Sequence, residues 1–213
     1  MHANFRDAMR TSATKHRCRW SISLAPLALG VLLITITGCV TDAKKIEVVR
    51  AINKDFQQEY EKIISEQGTR VFKASEAQAF AAMESALRKL GMTIEAQDSS
   101  GGYLGASAPA PTPLNREEWE RVEETDRPRM QEIASRTLGF RPPIKFEPAG
   151  LDIVIHVTTL ELSRGEVEVS ATMRMRETAP PKTGYPRREY PPPTAVRMGV
   201  AKFWSAFEAE LNQ

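Results

Sequence analysis

Residues 151–177 constrain the fold of this chain more tightly than any other stretch. Ile153, Ile155 and Val157 share one parity, and Val167, Val169, Ala171, Met173 and Met175 share one parity of the following run. Apolar residues at a period of two are a strand pattern. Arg164-Gly165 between the runs reads as a two-residue hairpin turn. That turn pairs Leu162 with Val167 and Leu160 with Val169, which puts Ile153, Ile155 and Val157 on the wrong face. One extra residue restores them, because a bulge sets two residues of one strand against one of its partner. The spacing predicts the bulge at Thr158-Thr159, opposite Ser170, so that Val157 pairs with Ala171, Ile155 with Met173 and Ile153 with Met175. His156 then lies on the face opposite Ile155.

The rest of the chain supplies layers for this hairpin. Residues 42–67 carry Val49, Ile52, Phe56, Tyr60 and Ile63 at three- and four-residue steps, one face of a helix that Gly68 ends. Residues 70–74 are a short strand. Ser75 and Gln78 form a capping box for a helix with Phe80, Met83, Leu87 and Leu90 on its apolar side. Strands follow at 92–96 and 103–107 around the turn Asp98-Ser99-Ser100-Gly101-Gly102. Pro109, Pro111 and Pro113 interrupt regular structure. Asn115, with Glu118 at the box position, opens a further helix whose Trp119, Val122, Met130, Ile133 and Leu138 face inward. Pro128 is expected to kink or split it. Its seven acids between Glu117 and Glu132 read as a solvated face. Thr194 opens a last helix with Val196, Val200, Phe203, Phe207 and Leu211 inward and Trp204 at the edge. The order predicts an α+β domain: an antiparallel sheet of about five strands with helices on one face, preceded by an N-terminal helix.

The N-terminus carries a different kind of signal. Arg6, Arg10, Lys15, Arg17 and Arg19 stand against one acid, Asp7, and no charge occurs from Trp20 to Thr41. A basic stretch, an apolar run and small residues at its end form a secretory signal. The junction Ile36-Thr37-Gly38-Cys39 resembles a bacterial lipobox. That resemblance implies cleavage between Gly38 and Cys39, attachment of diacylglycerol to the Cys39 sulfur and acylation, for instance with palmitate, of the new amine. The competing readings are a signal retained as a membrane-spanning helix and an ordinary cleaved signal. Pro26, Gly30 and the terminal Gly-Cys weigh against a retained helix. Val40 after the cysteine, rather than Asp, implies sorting to the periplasmic face of the outer membrane. The expected division is a signal at 1–38, a lipid-anchored helix at 39–69, and an α+β domain at 70–213 with a helical insertion at about 115–139.

Cleavage would leave 175 of the 213 residues, one domain's worth. It removes five of the 29 basic residues and one of the 27 acids, leaving 24 against 26 and a formal charge of −2. That balance gives no footprint for nucleic acid. Cys18 leaves with the signal and Cys39 takes lipid, so no thiol remains for a disulfide or a metal. His156 is the single histidine past the signal. There is no nucleophile elbow, phosphate loop or metal-ligand spacing, so no catalytic residue, metal ligand or cofactor is expected.

The run Ala86-Leu87-Arg88-Lys89-Leu90-Gly91-Met92-Thr93-Ile94, followed by Asp98-Ser99-Ser100-Gly101-Gly102-Tyr103, resembles the helix-grip repeat of BamC-like outer-membrane lipoproteins. The resemblance covers residues 70–107 by pattern and 150–211 by element order. BamC-like chains carry two such domains, and this chain has room for one. The family implies a non-catalytic accessory subunit of an envelope assembly, with a protein partner. The Pro-rich segment 178–193 offers Tyr185, Arg187, Arg188 and Tyr190 as candidate partner contacts; alternatively its tyrosines cover the domain's own core edge. A second functional reading is a binding protein for a small apolar or lipid ligand, with Met83, Met173, Met175 and Met198 lining a cavity, although methionine also fills cores.

Overall fold

A computed structural model describes residues 41–213. Gly38 and Cys39, and with them the signal and lipidation site, lie outside the described residues. The elements are α1 (Asp42–Gln67), β1 (Thr69–Phe72), α2 (Glu76–Lys89), β2 (Thr93–Asp98), β3 (Tyr103–Pro109), α3 (Arg116–Leu138), β4 (Leu151–Ser163), β5 (Glu166–Glu177) and α4 (Pro193–Leu211). The strands form one antiparallel sheet in the order β1-β5-β4-β3-β2, and helices pack against it. The fold is α+β, with five strands. Among the described residues no helix is long and apolar enough to cross a membrane.

Three cross-strand rows make the inner face. Leu104, Val157 and Ala171 align across β3, β4 and β5; so do Ala106, Ile155 and Met173, and Ala108, Ile153 and Met175. All nine are buried. The hairpin does contain a single bulge, but at Leu162 rather than at Thr158-Thr159, through which the ladder runs regularly as Thr158↔Ser170 and Thr159↔Val169. Thr159, not Leu160, therefore points inward. Its N–H donates to the Gly102 carbonyl at 2.7 Å and its hydroxyl to Glu76 Oε1 at 3.0 Å. A buried hydroxyl with partners costs little, and the space beside it is full: a Cβ on Gly102 would collide with Thr159 Oγ1. The polar contact with the start of α2 sets the register, and Leu160 and Leu162 go outward.

Helices α2 and α3 are capped as their sequences foretell, whereas α4 opens at Pro193 and not at Thr194. Ser75 and Gln78 satisfy each other's backbone N–H at 3.3 and 3.0 Å, and Asn115 and Glu118 do so at 2.9 and 2.7 Å. Helix α2 turns Ala79, Ala82, Met83, Ala86 and Leu87 inward, while Phe80 and Leu90 are half-buried. Helix α1 docks through Val48, Phe56, Tyr60 and Ile63, with Val48 rather than Val49 buried. Gly68 ends α1 in an ordinary right-handed conformation, φ −78°. What demands glycine there is closeness, since an added Cβ would stand 2.5 Å from the Ile64 carbonyl oxygen.

Helix α3 is not split by Pro128. Proline deprives the carbonyl four residues earlier of its donor; here that residue is Glu124, and both it and Pro128 are exposed, where water replaces the bond. Trp204 is also not at an edge. It is 1% exposed, between Phe72, Phe203 and Phe207, with its indole N–H donating to the Gln67 carbonyl at 2.7 Å. Finally, one acid of the α3 face turns inward. Asp126 is buried and accepts the Thr194 N–H and hydroxyl. Helix α4 starts with prolines at 192 and 193 and has no side-chain cap of its own, so Asp126 supplies one from another helix.

Candidate functional site

The segment that follows β5 is laid along the sheet edge beyond the end of β1. The Met175 N–H donates to the Glu189 carbonyl at 3.0 Å, and Asn53 Nδ2 of α1 donates to the Arg187 carbonyl at 2.9 Å. Tyr190 meets Tyr60 edge-on at 5.3 Å, and the Arg174 guanidinium stacks on both rings, 4.2 Å from the Tyr190 centroid and 4.5 Å from that of Tyr60. Arg188 Nε donates to Glu177 at 2.7 Å. Of the four predicted contact residues, Arg188 and Tyr190 are thus committed to holding the segment on its own domain. Tyr185 is half-buried, and Arg187 is exposed. Arg187 lines a groove of about 260 Å³ together with Arg50, Asn53, Lys54 and Gln57 of α1.

The second uncommitted surface is the outer face of the sheet. At one end Val71, Glu168 and Leu160 are lateral neighbours across β1, β5 and β4. Val71 is 55% exposed, Leu160 59% and Leu162 49%. The three are exposed at the hairpin end of the sheet, with Glu168 between Val71 and Leu160.

At the other end the outer face is polar and internally satisfied. Glu95, the bulged residue of β2, accepts from Arg176 at 3.0 and 3.3 Å and from Ser107 Oγ at 2.5 Å, and Arg176 also reaches Asp152 at 3.3 Å. The hydrogen bonds from Arg176 and then Ser107 hold the Glu95 carboxyl below its ordinary value. A carboxylate so placed is a poor base near neutral pH, and the Ser107 hydroxyl donates a hydrogen bond to that same carboxylate. His156 is exposed and lies against Tyr103, ring centroids 5.8 Å apart. Among the described residues no group of His, Cys, Asp and Glu is arranged to hold a metal ion. The cluster pins the β2 bulge.

Met83, Met173 and Met175 are buried in the one core, and Met198 is half-buried against it. Met173 fills the space over Gly199 of α4, where an added Cβ would meet its sulfur. Sequence reasoning missed Arg50 and Lys54, whose four-residue spacing opposite the apolar stripe of α1 was the available signal, and it missed Leu160 and Leu162 because it placed them inward. Comparison with protein-family models returns no match, and comparison with curated proteins returns none either.

Proposed function

We propose that this chain is a lipid-anchored envelope protein acting as a non-catalytic interaction module, an accessory subunit of an assembly at the periplasmic face of the outer membrane. Anchoring rests on the sequence Ile36-Thr37-Gly38-Cys39 behind a basic and apolar leader. Two or more acyl chains give a stable anchor where a single chain does not. The module reading is carried by the exposed apolar side chains of Val71, Leu160 and Leu162 at the hairpin end of the sheet. These side chains suit a protein partner, which would cover them and offer a donor to Glu168 between Val71 and Leu160.

Two measurements test the two halves separately. Metabolic labelling with a fatty acid should mark the wild-type chain and leave Cys39→Ala unmarked; label on the variant overturns the anchor. A photo-crosslinking residue at position 160 in native membranes should give one discrete partner adduct, and the same residue at the exposed position 97 should not. Equal adducts at both positions, or an adduct at 160 that survives Leu162→Glu with Val71→Glu, overturn the contact surface.

A further inference from the structure

The geometry points to a second site, an anionic phospholipid headgroup site in the groove between α1 and the segment around Arg187. Arg50, Asn53, Lys54 and Gln57 recur at steps of three and four, so they share one strip of α1, away from the buried Phe56, Tyr60 and Ile63. The Asn53 bond to the Arg187 carbonyl fixes the opposite wall at 2.9 Å and leaves the Arg187 side chain on the rim. Three cations therefore converge on about 260 Å³ with one carboxylate, Glu189, among them. Among the described residues none of Arg50, Lys54 and Arg187 enters an ion pair, whereas Arg129, Arg176, Arg188, Arg197 and Lys202 each close one. Cations brought together without partners repel one another, and a bound anion relieves that repulsion.

The groove's size and walls select the ligand. It is smaller than the roughly 300–1,000 Å³ of pockets that enclose whole small molecules, so it suits a headgroup and not an acyl chain. Arginine forks match the two free oxygens of a phosphodiester. Glu189 and the side-chain amide of Gln57 supply acceptors for hydroxyls beside that phosphate. The net positive charge favours a headgroup with net charge −1 over a zwitterionic one. A phosphatidylglycerol-type lipid meets all three conditions.

Position supplies the rest, and here the inference rests on the lipid-anchored reading. Helix α1 begins three residues after Cys39, and at 1.5 Å per residue the strip from Arg50 to Gln57 lies roughly 12–23 Å from its start. A chain tethered at Cys39 keeps this groove within reach of the leaflet that carries the anchor. Tethering raises the effective concentration of headgroups, so a weak site is occupied. The same occupancy would orient the domain on the membrane.

The test uses the full-length chain in a non-ionic detergent with short-chain phosphatidylglycerol. The melting temperature should rise by about 3 °C at tenfold excess over Kd, and the rise should shrink in high salt. Phosphatidylcholine of the same chain length should give none. The variant Arg50→Gln/Lys54→Gln/Arg187→Gln should melt like wild type without lipid and lose the rise with it; Lys54→Gln alone, at an exposed position, serves if the triple variant does not fold. An equal rise with inorganic phosphate would assign the groove to free anions and overturn the lipid. An equal rise with phosphatidylcholine, or one that persists in the variants, overturns the groove. The intact mass of the membrane-extracted chain reports the anchor independently: an unlipidated mass overturns the anchor whatever the lipid titration shows.

Discussion

The Asp126 carboxylate holds Thr194 by two hydrogen bonds, one from its N–H at 3.0 Å and one from its hydroxyl at 2.8 Å. A side chain on α3 thereby caps a helix that begins 67 residues later and that its own Pro192 leaves without a side-chain cap. Removing a cap costs ~1–2 kcal/mol. Asp126→Ala should lower unfolding free energy by that amount in urea titrations, and Asp126→Asn, which keeps one acceptor, by less.

The same carboxyl gives a pH signature. Burial pushes Asp126 above its ordinary value of 3.8, more than the bonds from Thr194 pull it down. The folded state therefore keeps the proton at pH values where the unfolded chain has released it. This stabilisation is complete below that ordinary value, which the unfolded chain keeps, and is lost as pH rises through the folded value. The stability of wild type relative to Asp126→Asn should fall between pH 3.5 and the upper end of that window. A flat difference from pH 3.5 to 7 would contradict it.

The location of the hairpin bulge sets one deletion apart from one substitution. Because Leu162 is the unpaired residue, deleting it should leave the inner rows aligned and unfolding free energy within ~0.5 kcal/mol of wild type. Thr159→Leu puts a larger side chain beside Gly102 and removes the bond to Glu76. It should cost ~2 kcal/mol. Urea denaturation of the two proteins compares them directly.

Gly68→Ala distinguishes conformation from contact. The φ of −78° suits alanine, so backbone propensity alone forecasts a neutral or stabilising change. The 2.5 Å approach of the added Cβ to the Ile64 carbonyl, and 3.1 Å to that of Ala171, forecasts a loss of ~1–3 kcal/mol. Thermal melting decides between them, with a lowered midpoint expected.

Arg174, stacked on Tyr60 and Tyr190, should control how firmly the segment 178–192 is held. Stacking of this kind contributes ~0.5–2 kcal/mol. Arg174→Gln should therefore speed proteolysis at Lys182 and Arg187 several-fold while far-ultraviolet circular dichroism stays unchanged. Equal cleavage rates would show that the hydrogen bonds to Glu189 and Arg187 hold the segment unaided.

Local chemistry was legible in the sequence wherever one residue's neighbours along the chain decide its state. The capping boxes of Ser75 and Asn115, the end of α1 at Gly68, the five strands and the inward rows of β4 and β5 belong to that class. They depend on spacing at periods of 2 and 3.6 and on side chains that reach backbone a few residues away. Tertiary structure alone decided the rest, because each case turns on a partner distant in sequence. Asp126 leaves the solvated face of α3 for an uncapped helix end. Thr159 displaces Leu160 from the interior because Glu76 and Gly102 satisfy its hydroxyl. Arg187 stays exposed while Arg188, one residue on, is drawn to Glu177. A polar side chain goes where its bonds can be completed, and which bonds those are is settled only when the strands and helices meet.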